Sequence, residues 1–220
     1  MLRVRDAMTR DVVTLGPDAS AGEAWRLCRE RNIRHLPVVD GGRLVGLVSD
    51  RDLRDTSPPR GSTGERDALN WSSLGDIMTT GLACIHPLDT IDHAARELHD
   101  RKIGCLPVVA DGELVGIITS SDMMRILVDL VGARDRGSWV EVEVPNEPGQ
   151  LANVTDVIRE KKVNIGGVFL TPAHRASNRL IVLRLDTTNP SGVVKAFEAA
   201  GYNVTTVEAS QNPEPTLEES

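Results

Sequence analysis

Aromatic residues are scarce, with two Phe, three Trp and one Tyr in 220 residues, so any core must be built from Val, Leu, Ile and Ala. Cysteine is nearly absent. Cys28, Cys84 and Cys105 are odd in number and form no C-x-x-C pair, so neither a disulfide framework nor a zinc knuckle is indicated. No apolar run approaches the roughly 18 residues of a membrane span. The first residues, MLRVRDAMTRDVV, hold no hydrophobic signal segment, and a cytoplasmic protein without a membrane partner is expected. The five His show no H-E-x-x-H spacing, and His93 and His99 are six apart, off one helical face. G-x-S-x-G and P-loop motifs are missing as well. No metal site, no catalytic residue and no required cofactor are expected, and Cys28 and Cys105 lie in apolar patterns that suit a core. Lysine is rare, four against 21 Arg. Arg is the better two-pronged partner for phosphate or carboxylate, although a biased genome composition gives the same excess. The net charge of −7 argues against a nucleic-acid or anionic-lipid partner.

What is present is a repeat. With an offset of 70, Asp6, Met8, Thr9 and Pro17 fall on Asp76, Met78, Thr79 and Pro87, and Leu36-Pro37-Val38-Val39 falls on Leu106-Pro107-Val108-Val109. Residues 6–53 and 76–123 share 17 identities in 48 positions, well above chance, so the unit is duplicated. Each copy reads as a polar D-x-M-T stretch, a short apolar strand (Val12–Leu15; Leu82–Ile85), a helix, two strands and a second helix from Ser49 or Thr119. Ser20-x-x-Glu23 is a capping box for the first helix, and Ile91, Ala94, Ala95 and Leu98 form an apolar stripe in its counterpart. Turns at Asp40-Gly41-Gly42 and Asp111-Gly112 join the strand pairs. Each β-α-β-β-α unit is too small to close a core alone, so the two are expected to pack together.

Residues 1–130 resemble a tandem pair of cystathionine-β-synthase (CBS) domains, an adenosine-sensing regulatory module. The resemblance rests on D-x-M-T at Asp6–Thr9 and Asp76–Thr79, the L-P-V-V strands, G-L-V-S-D-R-D at Gly46–Asp52 and G-I-I-T-S-S-D at Gly116–Asp122. It implies adenosyl sites made in copy one by Val13, Thr14, Arg34, His35, Leu36, Pro37, Ser49, Arg51 and Asp52. In copy two they are Ala83, Cys84, Cys105, Leu106, Pro107, Thr119, Ser121 and Asp122. The duplicated [ST]-x-x-D suits an anion at the Ser or Thr and a ribose diol at the Asp; it is equally a minimal capping box. Gly46 and Gly116 are read as allowing close backbone approach.

The pattern changes after Arg134–Gly137. Val140, Val142 and Val144 alternate with Glu141 and Glu143 as a strand. A turn at Asn146–Gln150 leads to a helix with Leu151, Val154 and Ile158 on one face. Strands at Ile165–Leu170 and Leu180–Leu185, a polar turn near His174–Asn178, a helix over Ser191–Ala200 closed by Gly201, and a strand at Tyr202–Val207 complete β-α-β-β-α-β. With N-x-x-G-x-L at Asn146–Leu151, this half resembles an ACT domain. The resemblance implies an amino-acid effector site at Asn146, Gly149 and Leu151, while an ordinary turn and cap explains the same residues.

The expected fold is α/β (α+β): two packed β-α-β-β-α CBS units in a pseudo-two-fold pair, then a ferredoxin-like ACT domain. The expected domains are CBS 1 at 1–56, a linker at 57–70 that includes the Pro/Gly/Ser run, CBS 2 at 71–132, ACT at 138–208, and a disordered acidic tail at 209–220. The CBS–ACT order resembles the acetoin-utilisation (AcuB-like) proteins. The resemblance implies a non-catalytic sensor of AMP, ADP, ATP or S-adenosylmethionine that regulates a partner enzyme. An amino-acid sensor using the CBS pair as a dimerisation scaffold is the alternative, and a hydrolase acting on an adenosyl substrate is a third. Leu180 and Val182 alternate with Ile181 and Leu183, and Val168 with Phe169, so both sheet faces are apolar and a homodimer is expected. The sites are expected to differ. Arg3, Arg5, Arg34 and Arg51 are matched by Ser73, Gly75, Gly104 and Ser121, so copy one should prefer phosphorylated adenosines and copy two neutral or cationic adenosyl groups, or none.

Overall fold

Two hairpins of the same register show how the duplication folds. In the computed structural model, which describes residues 2–56, 72–132, 136–173 and 175–209, β1 (His35–Asp40) pairs with β2 (Arg43–Ser49) and β3 (Cys105–Ala110) with β4 (Glu113–Thr119), both antiparallel. The expected linker at 57–70, His174 and the tail beyond Ala209 lie outside the described residues. The chain divides into two compact units, 1–124 and 125–220, and each is described by itself.

In the first unit each turn places two consecutive residues at positive φ, Gly41 and Gly42 in one copy and Asp111 and Gly112 in the other, as a two-residue hairpin turn requires. The preceding apolar pieces do not form full strands. Leu15 makes one parallel bridge to Val38, and Ile85 one to Val108. Two residues on stand Pro17 and Pro87, which lack the N–H that the next rung would need. Helix α2 (Ala21–Glu30) starts at Ser20, whose Oγ accepts from the Glu23 N–H at 3.1 Å, and buries Ala21, Ala24 and Cys28. Its counterpart α5 (Ile91–Arg101) buries Ala94 and Leu98. The last helices of the copies are α3 (Asp50–Thr56) and α6 (Ser120–Val131), the latter continuing past the boundary between units.

The D-x-M-T stretches contain single helical turns, α1 (Val4–Ala7) and α4 (Leu74–Ile77). Asp6 accepts from the Arg3 N–H at 2.9 Å, and Asp76 from Ser73 Oγ at 2.7 Å. These turns are exchanged between copies. Val4 and Arg5 donate to the carbonyls of Asp89 and Pro87, and Thr9 bridges Ile117; Leu74 and Gly75 donate to those of Ala19 and Pro17, and Thr79 bridges Leu47. Leu74 is thereby fully buried in the core of copy one, with Ala24, Leu36, Val48 and Leu53. The glycines of the strand motif serve this exchange rather than a close ligand approach. A Cβ on Gly46 would sit 2.3 Å from Met78 Sδ, and one on Gly116 2.6 Å from Met8 Sδ.

The second unit is a four-stranded antiparallel sheet in the order β6-β7-β5-β8, built from β5 (Ser138–Pro145), β6 (Ile165–Pro172), β7 (Asn178–Leu185) and β8 (Asn203–Ala209). Helices α7 (Gln150–Glu160) and α8 (Ser191–Ala199) cover one face. There Val154, Ile158, Val193 and Phe197 meet Val140, Val142, Val144, Ile181, Leu183 and Leu185. Leu151 does not join them; it is 39% exposed, because its place in the first turn lies beyond the sheet-facing stripe. On the other face Trp139 and Phe169 lie with ring centroids 6.1 Å apart. Arg184 is buried at 3% exposure and donates to Asp186 Oδ1 (3.2 Å) and to the Arg136 carbonyl (3.1 Å).

Candidate ligand-binding cavities

The exchange of the first turns decides where the duplicated motifs of the repeat meet. The chain that leaves α4 passes beside β2, so Thr79, Gly81, Leu82 and Ala83 of copy two face Ser49, Arg51 and Asp52 of copy one across a cavity of about 820 Å³. The chain that leaves α1 passes beside β4. Thr9, Asp11, Val12 and Val13 of copy one then face Thr119, Ser121 and Asp122 of copy two across a cavity of about 250 Å³. The cavities are equivalent under the repeat, and each is composite.

The [ST]-x-x-D capping box is made in both. Ser49 N–H and Oγ–H donate to Asp52 Oδ2 at 2.8 and 2.7 Å, and Asp52 N–H donates to Ser49 Oγ at 3.3 Å. Thr119 and Asp122 repeat this at 2.9, 2.7 and 3.3 Å. In copy one the cap uses one carboxylate oxygen, so a cap at Asp52 and a contact from Asp52 Oδ1 to a diol are compatible. Leu47, Ala83 and Pro107 give the larger cavity apolar wall, and Val12, Val13 and Ile117 do so in the smaller.

The structure regroups the residues expected from sequence. Ser49, Arg51 and Asp52 stay in one cavity but are joined by Ala83, Cys105 and Pro107 of the other copy. Thr119, Ser121 and Asp122 are joined by Val13. Arg34 and His35 line both cavities. Thr14 and Cys84 are exposed and line neither, and Leu36, Pro37 and Leu106 are buried and line neither. Arg3 and Arg5 are also elsewhere. Arg3 Nη1 donates to the Leu88 carbonyl of the other copy at 2.7 Å, which follows from the exchange, and Arg5 lies 3.7 Å from its neighbour Asp6. Lining residues that sequence reasoning missed include Thr9, Asp11, Thr79, Gly81, Lys102 and Gly104. The duplicated D-x-M-T was the available signal for the first four.

Between the cavities, a Cβ on Gly104 would fall 2.6 Å from His35 Nε2, so the ring rests on a glycine. Burial, helped by the Arg34 guanidinium, holds the His35 pKa below its ordinary 6.5, and Asp50 and Asp52 pull it up. Arg34 Nη2 donates to Ser121 Oγ across the copies at 3.0 Å. Burial pushes the Cys105 thiol up to about 12, which keeps it protonated and a poor nucleophile. Among the described residues no group of three or more His, Cys, Asp or Glu could hold a metal, and no helix is long and apolar enough to cross a membrane.

In the second unit Asn146 Oδ1 accepts from Arg179 Nε at 3.2 Å, and Gly149, at φ 92°, is the residue before α7. Leu151 faces outward beside them. These contacts supply a turn and a helix start.

The CBS-domain family model matches residues 4–58 and 74–129, and the ACT-domain model matches residues 138–202. A structure of an acetoin utilisation protein (AcuB) from Vibrio cholerae is 35% identical, covers 61% of this chain and 96% of its own, and superposes with a TM-score of 0.53. CBSX2 of Arabidopsis thaliana, solved in complex with AMP, is 32% identical over 58% of this chain and 97% of its own, with a TM-score of 0.51. The CBS pair of protein MJ0100, solved with 5′-methylthioadenosine and S-adenosyl-L-methionine, is 30% identical over 58% of this chain and 96% of its own, with a TM-score of 0.50. Several curated relatives are longer enzymes, of which the chain spans 23–24%.

Proposed function

We propose, for a chain that belongs to the CBS-domain family and carries an ACT domain behind its CBS pair, that it is a non-catalytic regulatory protein binding adenosyl ligands. The ligands are AMP, ADP, ATP or S-adenosylmethionine, held in the two composite cavities. One observation carries the reading. In each cavity a Ser or Thr and an Asp from one copy face the segment after D-x-M-T from the other. A ligand bridging them fixes the copies relative to each other. Binding then shifts the protein between conformations by its difference in affinity for them, and that shift is passed to the ACT domain or to a partner enzyme. A cytoplasmic homodimer is the setting proposed, and the AcuB resemblance supports acetoin utilisation as the process regulated.

Calorimetry of the full chain with AMP, ATP, S-adenosylmethionine and 5′-methylthioadenosine tests this, with product analysis of each mixture. Saturable binding of at least one compound with no turnover is expected. Binding to none would sink the sensor reading, and conversion of any would make the protein an enzyme. The contacts of Asn146 and Gly149 favour a turn over an amino-acid site.

A further inference from the structure

The two cavities share a backbone plan through the repeat, and they differ in charge at four equivalent positions. Arg51 in the larger cavity corresponds to Ser121 in the smaller, Lys102 corresponds to Asn32, and Gly81 corresponds to Asp11. These three differences run the same way, each making the larger cavity more positive or the smaller one more negative. The fourth, Gly104 in the larger cavity against Arg34 in the smaller, runs the other way, but Arg34 lines both cavities and so is shared between them.

The other charges leave the contrast in place. The larger cavity is also lined by Arg34, Arg54 and Arg101, against Asp50 and Asp52. Arg54 is paired with Asp50 at 3.1 Å, and Arg101 with Glu97 at 2.5 Å. Arg51 and Lys102 form no ion pair among the described residues, so they are the cations available to an incoming anion. The charged residues lining the smaller cavity, among the described residues, are Asp11, Asp122 and Arg34. It has under a third of the volume, about 250 Å³ against about 820 Å³.

We infer that the larger cavity takes a phosphorylated adenosyl ligand and the smaller one an adenosyl ligand whose tail is uncharged or cationic. This deepens, and rests on, the adenosyl reading above. A phosphate carries a charge near −2 at neutral pH, and hydrogen bonds from a guanidinium or ammonium to it are about twice as strong as neutral ones. The same phosphate beside Asp11 and Asp122 meets like charge. A sulfonium or amine there meets opposite charge. The expectation from sequence that Arg3 and Arg5 build the basic site is replaced, because both lie away from it, and Lys102 comes from the other copy instead.

The test gives the larger cavity the residues of the smaller. Arg51→Ser with Lys102→Asn is expected to weaken ATP binding at least tenfold and adenosine binding less than threefold, and to flatten the salt dependence of ATP affinity. Both side chains are exposed, so folding is not at issue. Filling either cavity at the equivalent positions Ala83→Trp and Val13→Trp separates the sites. ATP binding is expected to vanish in the first and survive in the second, with S-adenosylmethionine behaving the opposite way. On the unaltered protein, ATP and S-adenosylmethionine are expected to bind together rather than compete. Competition for one site, loss of both ligands in the same filled variant, or unchanged ATP affinity in the double variant overturns the assignment while leaving the adenosyl reading in place. Failure of the unaltered protein to bind ATP, S-adenosylmethionine or adenosine overturns both.

Discussion

Gly46 and Gly116 look from sequence like ligand-facing glycines, yet each sits beneath a methionine of the other copy. A Cβ on Gly46 would also fall 2.7 Å from Met78 Cγ, and one on Gly116 3.0 Å from the Thr9 carbonyl oxygen. Swinging the thioether end away therefore still leaves Met78 Cγ too close in the first case and a tight contact with backbone in the second. Overpacking of this kind costs about 1–3 kcal/mol, and Gly46→Ala and Gly116→Ala should each lower stability by that amount in urea denaturation. A loss below about 0.5 kcal/mol would show that the methionines repack freely. His35 makes the second prediction at this scale. Its pKa is lowered in the folded protein by burial and by Arg34, so folding favours the neutral ring. The contribution to stability is complete above the unfolded value near 6.5 and is lost as pH falls through the lowered folded value. Between pH 7.5 and pH 5 the unliganded protein should lose more melting temperature than His35→Gln does. Parallel curves would show that the ring titrates alike folded and unfolded.

The elements themselves were legible where one periodic signal dominated: the α5 stripe, the two hairpins with their Gly turns, and the alternation of β5. The exchange of α1 and α4 was not legible, for a physical reason. A segment duplicated with its domain presents the same Val4-like or Leu74-like apolar side chain to either copy, so self-docking and cross-docking have the same local pattern. Only the tertiary solution chooses between them. That choice moved Val13 and Ala83 into opposite cavities and made Lys102 part of a site begun at Ser49. The short strands were overread because Val12–Leu15 and Leu82–Ile85 have strand composition but run into Pro17 and Pro87. Leu74 tests the exchange directly. It is completely buried among copy-one residues although it opens copy two. Leu74→Ala should cost about 2–5 kcal/mol, and native-state hydrogen exchange should show the lost protection in β1, β2 and α2 rather than in β3 and β4. Loss confined to copy two would mean that each first turn docks on its own copy.

At the scale of the CBS pair as a whole, Arg34 ties the cavities together. It lines both, and its Nη2 donates to Ser121 Oγ in the smaller one. The repeat offers no second such link, because the equivalent residue is Gly104, over which His35 packs. A phosphate in the larger cavity competes for the Arg34 guanidinium, and charge-assisted bonding to phosphate outweighs a bond to a hydroxyl. When Arg34 turns away, Asp11 and Asp122 lose a cation that lines the smaller cavity with them. A cationic adenosyl ligand then binds there more tightly. The coupling is positive, and by linkage it is reciprocal. Removing one charge from a partly solvated site changes the interaction by roughly 1 kcal/mol, which corresponds to about fivefold in affinity. Titration of S-adenosylmethionine into protein saturated with ATP should therefore give a dissociation constant several-fold lower than titration without ATP. Adenosine in place of ATP should give no such gain. In Arg34→Gln the gain should disappear while each ligand still binds by itself. A gain that persists in Arg34→Gln would place the coupling in the backbone of the exchanged turns instead of in this side chain.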